Sequence, residues 1–206
     1  EVLGLFNSKT KLNLFAWLDN YLIEIKNGTR LTASKRVFEV GSIKTFNSTI
    51  LILKEYNSKL DWWQLDYAFC AKWLNWMTVV KGYKPSNIVR HFMRLKGLLK
   101  IAAMEEMPVN EAYAKWNVGS EKSSDLSIAL TVEELAEMEG LKLVDSYDRT
   151  RDLFLIGVYT GMRFSDYSTI DYNAVVDGYL TVIQQKTKGK VVIPVGHKLS
   201  KIFNKY

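Results

Sequence analysis

Leu12, Phe15, Leu18, Leu22 and Ile25 recur at steps of three and four residues between Ser8 and Gly28. That period predicts an amphipathic helix with Ser8 as its cap and Gly28 as its stop. A second helix is predicted from Ser42 to about Lys59, with Ile43, Phe46, Ile50, Leu53 and Tyr56 on one side. The third covers about Asp66 to Val80, where Phe69, Trp73, Trp76 and Val80 share a face. A fourth starts at Ser86, just after Pro85, and carries Ile88, Phe92, Leu95, Leu99 and Ala102 towards Glu106. Four amphipathic helices on short connections predict a compact bundle. Trp62 and Trp63 are adjacent and cannot both point inward, so one is expected at the surface. The aromatic run from Asp61 to Trp76 is read as core rather than as a stacking platform for single strands.

The period breaks at NVGSEKSSD, residues 117–125, which holds small and polar residues and reads as a linker. We therefore expect one domain over 1–117, a linker over 118–126 and a second domain over 127–206. In the second, Thr131 and Glu134 stand at capping-box spacing, and a helix is expected from about Tyr147 to Tyr159. The apolar period then changes to β-branched and aromatic runs, Tyr179 to Gln185 and Val191 to Val195, around the turn-like KTKGK. Asp177-Gly178 is a second tight turn. The expected fold is mainly α, a four-helix N-terminal bundle followed by an α+β part with a β-hairpin.

Composition narrows the possibilities. Nearly half of the 206 residues are hydrophobic (48%), enough for a substantial core. No run of about 18 apolar residues is present and the first residues do not look like a secretory signal, so a cytoplasmic, non-membrane protein is expected. One cysteine, Cys70, and two histidines, His91 and His197, do not make a Cys/His metal site. No metal or other cofactor is expected. Cys70, between Phe69 and Trp73, reads as a small core residue.

The net charge of +6 is uneven: 17 Lys/Arg against 10 Asp/Glu before Val118, and 11 against 12 from there on. A polyanion is the natural partner of the basic half. In the other half, YTGMRFSDYSTI (Tyr159 to Ile170) sets Arg163 two residues after Gly161 and three before Asp166. Gly161 lets the chain leave one helix, and Ser165-Asp166 suits the start of the next. Arg163 on that bend can grip a phosphate with its planar fork. An Arg163–Asp166 ion pair tying two helices together explains the same residues. About 23 residues on, Lys186, Lys188 and Lys190 crowd the hairpin turn, where an ammonium group can reach a phosphate or a leaving oxygen.

LTVEEL, RDLFLIGVYTGMRFSD and IQQKTKGKVVIPV, in that order, resemble the catalytic domain of tyrosine recombinases, the integrase family of phages and mobile elements. The helical half, through SIKTFNSTILILKEY and KPSNIVRHFMRLKGLLKIAAME, resembles that family's SAM-like core-binding domain. The resemblance implies that Arg163 stabilises charge on a scissile phosphate, that Asp166 supports it, and that Lys186 is the general acid for the leaving 5′ oxygen, with Lys188 as the alternative. It implies strand exchange through a 3′-phosphotyrosyl link without metal or nucleotide cofactor, duplex DNA as substrate, and several protomers in one synaptic complex.

The family's later signature, a His-x-x-Arg box and a tyrosine nucleophile after the lysine hairpin, has no match here. His91-x-x-Arg94 has the spelling but precedes Arg163, Ser200 stands three residues after His197, and Tyr206 lies too close to Lys186. The expectation is a core-binding domain with part of a catalytic domain, inactive in strand cleavage by itself. On the first domain, Lys44, Thr45 and Asn47 at the start of the second helix, and Arg90, Arg94, Lys96 and Lys100 on the fourth, are the expected DNA contacts. A non-catalytic DNA-binding protein on the same scaffold, and a helical protein-interaction module, are the rival readings.

Overall fold

A computed structural model describes residues 12–119 and 128–206, so Ser8 and most of the proposed linker lie outside the described residues. The chain divides into two compact units, 1–125 and 126–206. It is mainly helical with one small antiparallel sheet, as the hydrophobic pattern predicts.

The first unit is built on four helices: α1 (Leu14–Asn27), α2 (Val40–Tyr56), α3 (Tyr67–Asn75) and α4 (Pro85–Met104). The cap of α1 is Asn13, whose side chain accepts from the Ala16 amide at 2.8 Å. Gly28 closes the helix at φ +72°, a left-handed conformation that costs glycine nothing. Leu14, Trp17, Leu18, Tyr21, Leu22 and Ile25 make its buried stripe. Pro85, not a Ser86 cap, opens α4, because proline's fixed φ suits the first helical position and its missing N–H would have had no intrahelical partner.

After α3 the backbone makes one π turn, Trp76–Val80, with the Lys81 amide reaching back to Trp76 O at 3.1 Å. The extra residue in that turn rotates the face. Met77 takes the buried place, Trp76 is half-buried, and Val80 is 67% exposed, contrary to the regular helical spacing. Trp73 lies at the centre, its ring 4.6 Å from Phe92 and 5.6 Å from Phe69. Cys70 is buried beside them, and burial pushes its thiol pKa up. Of the tryptophan pair, Trp62 is buried with its Nε1–H donating to Leu12 O at 2.8 Å, while Trp63 is 69% exposed.

The second unit packs α5 (Val132–Gly140), α6 (Asp145–Thr160), a one-turn α7 (Phe164–Tyr167) and α8 (His197–Phe203) with strands β1 (Val175–Val176), β2 (Tyr179–Ile183) and β3 (Lys190–Pro194). Thr131 and Glu134 form the expected capping box on α5. The strands run in the order β1-β2-β3, all antiparallel, and β2 pairs with β3 from Tyr179↔Pro194 to Ile183↔Lys190. Asp177 and Gly178, at φ +52° and +78°, make the tight turn between β1 and β2. Leu180 and Ile193 face each other across the ladder, in one apolar cluster with Leu155 and Ile156 of α6 and Leu199, Ile202 and Phe203 of α8. This core fixes the two ends that matter below, the C-terminus of α6 and the open end of the β2–β3 hairpin.

Candidate active site

α6 stops at Gly161, φ +62°, which turns the chain without strain. Met162 is buried and anchors the bend, and Arg163 follows in extended backbone as the N-cap of α7. Ser165-Asp166 therefore does not start the helix: Arg163 holds the cap position and Asp166 falls in the first turn, since α7 begins two residues earlier than the cap preference of serine suggests.

The Arg163 side chain is 51% exposed, and its Nη1 lies 4.0 Å from Oδ2 of Asp166, whose side chain is fully enclosed. A contact that long from a half-exposed guanidinium is worth little as a strut and leaves the fork open to solvent. Asp166 is tied elsewhere: its Oδ1 accepts the Gln185 backbone N–H at 2.9 Å, and its buried Oδ2 has no hydrogen-bond partner. One carboxylate thus faces the arginine with one oxygen and holds the root of the lysine hairpin with the other.

The hairpin connection runs from 184 to 189. The Gln184 amide donates to Gly189 O and the Lys188 amide to Gln184 O, both at 2.9 Å, and Lys188 adopts φ +57°. Lys186, Lys188 and Lys190 are all exposed. The structure brings together the arginine bend, its buried aspartate and the residue preceding Lys186; the ammonium groups of Lys186 and Lys188 themselves form no ion pair among the described residues.

On the first unit the expected basic face needs sorting. α2 starts at Val40, so Lys44, Thr45 and Asn47 lie in its second turn, beyond the free amides; the Thr45 hydroxyl donates to Ser42 O at 2.7 Å. A phosphate site built on helix-end amides at these three residues is therefore corrected, although Lys44 remains an exposed cation. Lys96 is also committed: its ammonium donates to Ala114 O at 3.2 Å and Trp116 O at 3.0 Å, holding the segment after α4. Arg90 and Lys100 are exposed, and Arg94 is half-buried, with burial first and then Arg90 lowering its pKa.

His91 does no chemistry with Arg94. It is buried, its Nδ1 lies 2.9 Å from Thr49 Oγ1, and that hydroxyl also lies 3.1 Å from Thr45 O. Burial first, then Arg94 and Arg90, pull its pKa down. Tyr206 donates to Asp152 Oδ2 at 3.0 Å, and burial with that bond pushes its pKa up, the opposite of an activated nucleophile.

Two groups had no sequence signal. Gln185 was legible only as the end of a strand. Asp152, buried on α6, gathers Arg151 at 2.6 Å, Lys205 at 2.7 Å and Tyr206, beside a cavity of about 470 Å³ between α6 and α8. Among the described residues no cluster of His, Cys, Asp and Glu is arranged to hold a metal ion, and no helix is long and apolar enough to cross a membrane.

A helical bundle followed by an arginine bend latched to a lysine hairpin is the order expected from the resemblance to the phage-integrase family. The chain belongs to that family: the family model for the phage integrase SAM-like domain matches residues 13–118, just over half of it. Prophage integrase IntE of Escherichia coli K12 is 32% identical over 77 residues, which is 35% of this chain and 20% of that protein. Among solved structures, a lambda integrase tetramer bound to a Holliday junction superposes with a TM-score of 0.74 at 19% identity, covering 97% of this chain and 58% of that one. A lambda integrase dimer bound to a core site gives 0.71 at 20% identity, covering 95% and 54%. The Tn1549 transposon integrase with circular-intermediate DNA gives 0.70 at 12%, covering 94% and 64%. At these identities the likeness is one of fold. The chain spans between half and two thirds of the length of these three structures.

Proposed function

We propose that this chain is the core-binding domain and the first part of the catalytic domain of a tyrosine-type site-specific recombinase, which cuts and rejoins duplex DNA through a 3′-phosphotyrosyl intermediate. The observation that carries this reading is Asp166, which approaches Arg163 with one carboxylate oxygen and binds the residue before Lys186 with the other. Arg163 grips the scissile phosphate, and Lys186 hands a proton to the 5′ oxygen as the phosphorus–oxygen bond breaks. Lys188, exposed on the same hairpin turn, contacts the DNA backbone. Arg90, Arg94, Lys100 and Lys44 supply further phosphate contacts.

The domains run 1–117 and 127–206 with a linker between, and the working unit is several protomers on duplex DNA in the cytoplasm. Tyr206 is held as a donor to Asp152 and is not the nucleophile, so these 206 residues bind duplex DNA without cleaving it. Likeness to DNA-bound integrase dimers and tetramers supports this partner set. The test is duplex binding across a salt series, with a search for covalent protein–DNA adduct. Affinity that falls steeply with salt, and no adduct from the 206-residue chain, is the expected pair of results. Salt-independent binding, or an adduct that survives Tyr206→Phe, refutes it. A non-catalytic DNA-binding protein on this scaffold predicts the same binding but no adduct from the full-length protein.

A further inference from the structure

β2 ends at Ile183, so the loop that carries Lys186 is not held by the sheet ladder. Beyond the turn's own hydrogen bonds, the ties that this loop makes among the described residues all come from Gln185. Its backbone N–H donates to Asp166 Oδ1 at 2.9 Å, and its side-chain Nε2 donates to Ser165 O at 2.7 Å and to Thr169 Oγ1 at 3.3 Å. Thr169 closes the set by donating its hydroxyl to Ser165 O at 3.3 Å. α7 is a single turn, so the Ser165 carbonyl has no intrahelical amide partner, and the glutamine amide supplies one.

The consequence is geometric. Arg163 is the cap of α7, Ser165 and Asp166 lie within α7, and Lys186 is one residue beyond the glutamine that grips both. The distance from the Arg163 backbone to the root of Lys186 is therefore set by one helical turn and three hydrogen bonds rather than by a free loop. Gln185 is chosen by chemistry as well as by place. Only a side chain with a long reach and an N–H donor satisfies Ser165 O and Thr169, and glutamate of the same shape would set a carboxylate against a carbonyl.

We infer that Gln185 is a positioning residue, which fixes the base from which Lys186 reaches the leaving oxygen of the phosphate held at Arg163. The inference rests on the proposed role of Lys186 as proton donor. It also favours Lys186 over Lys188 as the proton donor, because the latch is adjacent to the first and three residues away from the second.

The test uses cleavage by the full-length protein of two nicked duplexes, one ordinary and one with the 5′ bridging oxygen replaced by sulfur. A thiolate, with a thiol pKa of about 8.5, leaves without a proton donor. Gln185→Ala and Gln185→Glu are expected to slow cleavage of the oxygen substrate by about 10- to 100-fold, less than the about 100- to 10,000-fold that a positioned general acid supplies, because the lysine is displaced and not removed. Cleavage of the sulfur substrate should stay within about twofold of the unsubstituted protein. On the 206-residue chain, nitrogen relaxation should show the Lys186 amide falling from an order parameter of about 0.85 to below about 0.6 in both variants. Equal losses on both substrates, no loss on either, or an unchanged Lys186 order parameter overturns the inference. If Lys186→Ala is not rescued by sulfur, or the unsubstituted protein cleaves neither duplex, the role of Lys186 itself fails, an outcome distinct from failure of the latch.

Discussion

Gly157 lies in the last turn of α6, still inside the helix, where glycine is ordinarily a defect, and the reason is one ring on α7. A Cβ built at residue 157 would sit 2.7 Å from Tyr167 Cε1, 2.8 Å from Cζ and 3.1 Å from the hydroxyl. Tyr167 closes the turn that carries Arg163 and Asp166, and its ring stands edge-on to Phe164 at 5.4 Å. Gly157→Ala should gain about 0.5–1 kcal/mol from lower backbone entropy in the unfolded chain and better helix propensity. It should lose about 1–3 kcal/mol from forcing the ring aside. The net is a destabilisation of roughly 1 kcal/mol. In a Tyr167→Ala background the obstacle is gone, and the same change should stabilise by about 0.5–1 kcal/mol, so the sign inverts. Urea unfolding followed by far-UV circular dichroism reads both units, and the second unit's transition is the part that does not coincide with the tryptophan signal. All six tryptophans lie in the first unit, so their fluorescence serves as an internal control that should not move. If Gly157→Ala stabilises both backgrounds equally, α6 and α7 do not meet as described.

His91 gives a pH dependence with a definite sign. Its folded pKa is lowered, so the unfolded chain binds the proton first, and stability present above the unfolded value of about 6.5 is lost as pH falls below it. Urea midpoints from tryptophan fluorescence should fall between pH 7.5 and 5.5, and a buried neutral substitute, His91→Gln, should flatten the change. Lys96 and Lys100 should separate by phenotype. Lys96→Met should lower first-unit stability by about 1 kcal/mol through the lost carbonyl contacts. Lys100→Gln should leave stability alone and reduce the salt slope of duplex binding by about one. Equal behaviour of the two variants would contradict the sorting of the basic face.

The helices were legible because each buries a stripe that its spacing announces: Leu18, Leu22 and Ile25 on α1, and Ile88, Phe92, Leu95 and Leu99 on α4, are all buried. The capping box at Thr131 and the hairpin between Tyr179 and Val195 were legible for the same reason, since local chemistry determines them. The π turn was not, because one inserted residue conserves composition and shifts only the phase, sending Met77 inward and Val80 outward. Of the site, Arg163 and the lysine turn could be picked out by their residue types and order. The long Arg163–Asp166 contact and the Gln185 latch could not, since they depend on which oxygen of a buried carboxylate faces which neighbour. The basic stripe on α4 misled in one place: Lys96 has the charge and spacing of a DNA contact, but its ammonium is spent on two backbone carbonyls of its own unit.

The central claim is that the bend at Arg163 grips the scissile phosphate while Asp166 ties it to the lysine hairpin. It is tested most directly by the rate of covalent adduct formation between full-length protein and a nicked duplex, compared for Arg163→Ala and the unsubstituted protein at equal saturation. The loss of one preorganised charge-stabilising group should slow adduct formation by about 100- to 1,000-fold. Duplex affinity, carried by many phosphate contacts, should change only slightly. Adduct formation at an unchanged rate, with Arg163 replaced and the duplex still bound, would mean that the bend serves the fold and not the phosphate.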